Sequence, residues 1–298
     1  DITDAEAAIG RAAQAAVKLR PPEPERLRSR LLVHWVLLSR GQTDRTRAEV
    51  DRLLEDMRRF ESAFPEDFAG AWRIRSAVAI ADKDSGKAIS SALAARRIAE
   101  SRLGMHHNQS VLALVDLSSA YGLAGRWDLA LKTAEQAVRR GLETYSNSET
   151  HPNVLKARVA FAQALAASGQ PTRGIRMAQA AIEDLSALFG PSSQLVGLDL
   201  ATLAEMQMRA GQWLAARHSM ERSRSILARH FRVDSPAYAS LKRLRSEIEL
   251  GAHPGRVARP AFRMSMLEKK AACNPRRSMR TRARTSHESA SSWNCRSR

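Results

Sequence analysis

Few residues in this sequence have the type and spacing that catalysis requires. Residues 85–88 read Ser-Gly-Lys-Ala and come nearest to a phosphate-binding loop, in which backbone N–H groups and a lysine surround the phosphates. The segment lacks the earlier glycine of such loops, and Ala88 stands where a Ser or Thr hydroxyl would hold magnesium. The sequence also lacks a Gly-x-Ser-x-Gly elbow and a kinase motif set. We therefore expect no catalytic residue and no enzymatic activity.

The histidines are the next candidates, for metal binding. His106 and His107 are adjacent, and no cysteine or carboxylate cluster follows them at the spacing of metal ligands. His287 and Glu288 are not followed by the second histidine of a zinc-protease helix. We interpret the adjacent histidines as part of a polar loop, and His34 as a core histidine with satisfied hydrogen bonds. No metal, cofactor or small-molecule substrate is expected.

Positive charge is concentrated at the end of the chain. The formal net charge is +17, and residues 253–298 contain twelve basic and two acidic side chains. The run from Arg276 to Arg284 could contact nucleic-acid phosphates, although it lacks the interleaved aromatic residues of a base-stacking surface. The same composition, rich in Arg, Ser, Ala and Thr, is also typical of GC-rich coding DNA read in a shifted frame. Nucleic-acid binding through this tail stays open as an alternative function.

Cysteine usage and hydropathy bear on the cellular compartment. Both cysteines, Cys273 and Cys295, lie in the tail, so no disulfide framework holds the preceding residues. No apolar run approaches the roughly 20 residues that a membrane span needs. These features favour a cytoplasmic protein that has no membrane partner.

A repeat organises most of the chain. Tight turns recur at intervals of 42, 42, 44 and 42 residues, centred on Gly41, Lys83, Gly125, Gly169 and Gly211. A glycine at this point suits a left-handed helix C-cap. Most residues at two further repeat positions are small: seven before each centre stand His34, Ser76, Ser118, Ala162 and Ala204, and five after it stand Thr46, Ala88, Ala130, Gly174 and Ala216. Because small residues let two helices approach closely, the pattern predicts antiparallel helix pairs stacked in series.

The third repeat carries the fullest pattern, formed by Tyr121, Gly125, Trp127, Ala130 and Ala137. These residues resemble the signature of the tetratricopeptide (TPR) family. The 42-residue period, and a loop at residues 151–154 that reads His-Pro-Asn-Val, resemble its kinesin-light-chain-like variety, as found in bacterial signalling proteins. The resemblance implies an all-α fold, a right-handed superhelical solenoid of antiparallel helix pairs. It also implies that Trp127 and Trp213 pack between helices.

The same register divides the chain into three segments. Residues 1–20 are interpreted as the second helix of a truncated repeat, whose first helix would lie upstream. Residues 27–250 are predicted to form the TPR-like array, which ends in a polar cap helix. Residues 252–298 show no apolar period and are expected to be a disordered basic tail.

The resemblance also suggests where a partner would bind. In the TPR family the first helix of each pair lines the concave face of the solenoid, and peptides of partner proteins lie there. The repeat register places five polar residues on this face, and we predict that they contact a partner: Arg73, Ser119, Lys156, Gln163 and Glu205. Trp35 falls on the same face. The implied function is a protein–protein interaction scaffold that binds a partner peptide or protein.

Two biological contexts are compatible with such a scaffold. The first is a stand-alone adaptor protein. The second is the regulatory part of a larger bacterial signalling protein, such as the C-terminal region of a serine/threonine kinase or of a winged-helix transcriptional regulator. The half repeat interpreted at residues 1–20 favours the second context.

Overall fold

The computed structural model describes Arg11, residues 23–231 and residues 236–252, and it forms helices throughout this part of the chain. The helices are α1 (Glu23–Ser39), α2 (Thr43–Arg58), α3 (Pro65–Ala81), α4 (Ser85–Ile98), α5 (Asn108–Leu123), α6 (Trp127–Thr144), α7 (Pro152–Ala167), α8 (Pro171–Phe189), α9 (Gln194–Arg209), α10 (Trp213–Leu227) and α11 (Pro236–Ala252). A π-helical turn, Ala99–Leu103, extends α4. The predictions for residues 1–20 and for the tail after residue 252 concern positions outside the described residues, apart from Arg11. None of the described helices is long and apolar enough to cross a membrane.

Each predicted turn centre adopts the left-handed backbone conformation. The φ angles are 68° at Gly41, 60° at Lys83, 70° at Gly125, 92° at Gly169 and 74° at Gly211. In all five turns the next residue donates its N–H to the carbonyl five residues earlier, over 2.8–3.0 Å, which is the Schellman helix ending. The predicted turns are thereby confirmed, including the second one, where a lysine replaces glycine.

Small residues bring the two helices of a pair close together, as predicted. The buried Ser76 and Ser118 hydroxyls donate to main-chain carbonyls of the facing helix, over 3.1 Å and 2.9 Å respectively. In the fourth pair the approach leaves no room for a side chain, since a Cβ atom added to Gly174 would lie 2.4 Å from the carbonyl oxygen of Ala162. No larger side chain fits this point without separating α7 from α8.

The first pair departs from this pattern. His34 occupies the position of the two serines and is 2% exposed. Among the described residues its Nδ1 has no hydrogen-bond partner, and neither has the buried Thr46 hydroxyl on α2. The prediction of a satisfied core histidine was therefore wrong for Nδ1, whereas Nε2 lies 3.6 Å from the carboxylate of Glu49 on α2. Burial lowers the pKa of His34 below its ordinary value, so the ring is held in its neutral form.

Stacking of the pairs produces a solenoid. We call α1, α3, α5, α7, α9 and α11 the first helices, and α2, α4, α6, α8 and α10 the second helices. Each second helix contacts the next first helix, and each first helix contacts the first helix that follows it. The array curves so strongly that the Gln194 side chain, at the start of α9, donates a hydrogen bond to the carbonyl of Ser39, at the end of α1. We call the concave surface formed by the first helices the inner face.

Candidate functional site

Arg73 is one of the five predicted contact residues, and the structure buries it. Its side chain is on α3 and the residue is 6% exposed. The guanidinium donates from Nε to Asp116 over 2.7 Å and from a terminal nitrogen to Gln109 over 3.1 Å, both on α5. It also lies 5.1 Å from the ring centroid of Trp35. Arg73 therefore joins three consecutive first helices, and two of its five N–H donors are used within the chain.

Lys156, on the first helix α7, is exposed to solvent. Burial, and then the charge of Arg73, lower the pKa of its ammonium group, while Asp116 and Asp199 act in the opposite direction. Asp199 lies on α9, and burial raises the pKa of its carboxyl to about 6 although Lys156 lowers it. Within the described part of the chain, neither Lys156 nor Asp199 has a direct hydrogen bond or ion pair. The inner face thus holds two opposite charges that influence each other without touching.

Ser119, on α5, is half-buried and less available than predicted. Its hydroxyl donates to the carbonyl of Val115, one turn earlier in the same helix, over 3.1 Å. This bond uses the only proton of the hydroxyl, and the oxygen keeps lone pairs that could accept a bond from a ligand.

Gln163 and Glu205 meet at one cavity. The cavity has a volume of about 460 Å³ and lies where α7 and α9 end and α6 begins. Its lining is mainly apolar, and the residues that form it are Trp127, Gln163, Ala166, Ala167, Gly169, Pro171, Glu205, Met206, Arg209 and Ala210. We call it the Trp127 pocket. A second cavity of about 580 Å³ adjoins it and shares Trp127 and Ala167.

Trp127 forms the wall between these two cavities. The ring is half-buried and packs against Gly122, where an added Cβ atom would lie 2.8 Å from the ring. The guanidinium of Arg209 lies 5.9 Å from its centroid and is paired with Glu205 at 2.5 Å. One side of the Trp127 ring therefore packs between helices, and the other side lines a cavity.

Three contributors to this site were not predicted from the sequence: Asp199, Arg209 and the pocket-facing side of Trp127. Asp199 follows Lys156 by 43 residues, close to one repeat, so the register could have placed it on the inner face. The position of Arg209 over a tryptophan two pairs away depends on the curvature of the array, which the repeat pattern does not specify. Groups of three or more metal-ligating side chains do not occur among the described residues.

Comparison with known proteins supports the fold. No protein-family model and no curated protein sequence matches the chain. Among solved structures, BtubC (BKLC) from P. vanneervenii is similar, with a TM-score of 0.52 and 13% identity over 76% of this chain and 91% of that one. A second solved structure contains kinesin light chain nearly identical TPR-like repeats from Podosopora anserina. It has a TM-score of 0.48 and 18% sequence identity, over 70% of this chain and 98% of that one. The predicted all-α, TPR-like solenoid is confirmed.

Proposed function

We propose that this protein is an interaction scaffold whose inner face, over α5, α7 and α9, binds a segment of a partner protein. A TPR-like repeat fold is suited to this role, because stacked helix pairs form an extended concave surface. One observation carries the proposal. Lys156 and Asp199, on neighbouring first helices, have no direct partner among the described residues, and two of the predicted contact residues line a largely apolar pocket near them. Because the Lys156 side chain is exposed and its ammonium group is unpaired, it can form an ion pair or a hydrogen bond with a bound segment.

A peptide selection tests this proposal directly. A phage library of random 12-residue peptides would be selected against the chain, and the enriched peptides would be synthesised and their affinities measured. The Lys156→Glu, Gln163→Ala double variant should weaken their binding about tenfold or more, since it reverses one charge and removes one amide at the inner face. Its helicity, measured by circular dichroism, should be unchanged.

The matched control is Lys132→Glu, which makes the same charge reversal at an exposed position of the second helix α6. It should leave the affinity unchanged. Failure to enrich any peptide, or equal affinity for the double variant and the wild type, would remove the inner face as a binding site.

We further propose that the scaffold is a cytoplasmic protein and the regulatory part of a larger signalling protein. The support is the resemblance of its 42-residue repeats to arrays that follow kinase or winged-helix domains in bacteria. Sequencing the DNA on both sides of this coding segment tests the proposal. An in-frame kinase or winged-helix segment would support it, and a start codon immediately upstream would instead support a stand-alone adaptor.

A further inference from the structure

The Trp127 pocket is electrically neutral as well as mainly apolar. Glu205 and Arg209 form its charged rim and are paired with each other at 2.5 Å. The Trp127 ring, Met206 and several alanines supply most of the remaining surface. A charged side chain entering this space would lose its hydration without meeting an unpaired counter-charge, whereas an apolar side chain would gain by leaving water. The pocket is therefore suited to one large apolar side chain.

The Lys156–Asp199 pair requires a different group. A partner carboxylate would accept a hydrogen bond from the Lys156 ammonium but would be repelled by the Asp199 carboxylate. A partner cation would be attracted by Asp199 but repelled by Lys156. A primary amide satisfies both, because its oxygen accepts from Lys156 and its NH₂ donates to Asp199. An asparagine or glutamine side chain thus matches the charges at this point of the inner face.

The two subsites have a definite separation. Lys156 precedes Gln163 on α7 by two helical turns, so the pair lies about 10 Å along the inner face from the near edge of the pocket, which Gln163 forms. An extended peptide advances about 3.3 Å per residue, and two residues that are three apart in its sequence therefore span about 10 Å.

We propose that the inner face binds an extended segment whose large apolar side chain enters the Trp127 pocket and whose Asn or Gln, three residues away, bridges Lys156 and Asp199. This inference rests on the proposed function and names the chemistry of the partner segment. It leaves the direction of the segment free, so the amide can precede or follow the apolar residue.

The test uses a second phage library with a Gly/Ser background and four consecutive randomised positions. The enriched peptides should combine Leu, Ile, Met or Phe with Asn or Gln at the opposite end of the randomised window. Enrichment of acidic or basic residues in place of the amide, or the absence of an apolar residue, would overturn the inference. If neither library yields a binder, the proposed function fails as well.

Two variants of the chain separate the pocket from the rest of the inner face. Ala167→Leu fills the pocket and should weaken the best peptide about tenfold or more. Ala81→Leu is its matched control, because Ala81 has the same repeat position at the end of α3 and is exposed; it should leave the affinity unchanged. Ala210→Leu enters the same pocket from the end of α9 and replaces Ala167→Leu if that variant unfolds. Full affinity in a folded pocket-filled variant, together with loss of affinity in the single variant Lys156→Glu, would overturn the pocket assignment and leave the scaffold function standing.

A change of specificity tests the amide subsite. Repeating the selection on Asp199→Asn should shift the enriched residue from Asn or Gln towards Asp or Glu, since the other carboxylate that acts on Lys156, Asp116, is already paired with Arg73. Lys156→Met should shift it towards Lys or Arg. A purely structural role of the two residues would lower all affinities without changing the preferred residue.

Discussion

Two tryptophans at the same repeat position have different surroundings. Trp127 and Trp213 each follow a turn glycine by two residues and begin a second helix. Trp213 lies against α11 so closely that a Cβ atom added to Gly251 would be 2.2 Å from its ring. Trp127 faces Ala167, at the equivalent position of α7, and one side of its ring remains open to a cavity. One sequence motif thus supplies a packed contact in the fifth pair and a pocket wall in the third.

The difference comes from what is stacked above each ring. Over Trp127, the next two first helices both contribute: α7 supplies Ala167, and α9 supplies Arg209 and Met206. The Trp127 pocket lies between the ends of these two helices. Over Trp213 the described chain supplies a single first helix, α11, whose Gly251 allows direct contact with the ring. The pocket therefore involves the first helices of two successive pairs, whereas the contact involves one small residue of a single helix.

The largest effect is expected from Gly251→Ala. The added methyl would overlap the Trp213 ring, and no adjoining cavity is found there among the described residues to take the ring. We expect a loss of about 2 kcal/mol in the stability of the α10–α11 contact, typical of overpacking. Urea unfolding followed by tryptophan fluorescence would measure it.

Gly86→Ala is the control for this substitution. Its added Cβ meets only Asp84, at 3.6 Å, so it tests the general effect of replacing a helical glycine with alanine. If Gly251→Ala proves as stable as the wild type, the contact between Trp213 and α11 is looser than the structure shows.

A smaller effect, of about 1 kcal/mol, is expected from acid at the start of α7. His151 Nδ1 accepts from the Asn153 N–H over 3.2 Å and so caps this helix, while the ring stacks on Tyr145. Burial lowers the pKa of His151 below its ordinary value of 6.5. The group therefore stabilises the fold fully above pH 6.5, and this contribution is lost as the pH falls through the folded-state pKa, when the ring must take up a proton.

Hydrogen exchange at pH 7 and pH 5, corrected for intrinsic rates, would measure this effect. The first amides of α7 should lose protection, whereas those of α9 should not, because α9 is capped by the Ser193 hydroxyl. In His151→Ser the cap no longer titrates, so the α7 amides should keep equal protection at both pH values. Equal loss in that variant would contradict the assignment to His151.

The smallest effect is expected from Gly122→Ala. Its Cβ would lie 2.8 Å from the Trp127 ring, but the ring can shift into the adjoining cavity. Alanine also favours a helix interior by about 1 kcal/mol over glycine. The net change in the free energy of unfolding should therefore stay within about 1 kcal/mol. A cost equal to that of Gly251→Ala would show that the pocket beside Trp127 is not open.

The sequence by itself determined the repeat, its turns and the inner face. Glycines at 42- to 44-residue intervals identified left-handed helix endings, including the one at Lys83, because helix termination is a local property of a few residues. Small residues at fixed offsets identified the contacts within each pair for the same reason. The prediction failed at His34, because the missing partner of its Nδ1 among the described residues depends on the tertiary surroundings.

Only the tertiary structure decided which inner-face residues are free. It paired Arg73 with Asp116 on the next first helix, left Lys156 and Asp199 apart, and placed Arg209 over a tryptophan two pairs away. These relations join residues about 40 or 80 positions apart, and they depend on the angle between successive pairs. Many small packing contacts along the solenoid together set that angle, and no single sequence motif encodes it.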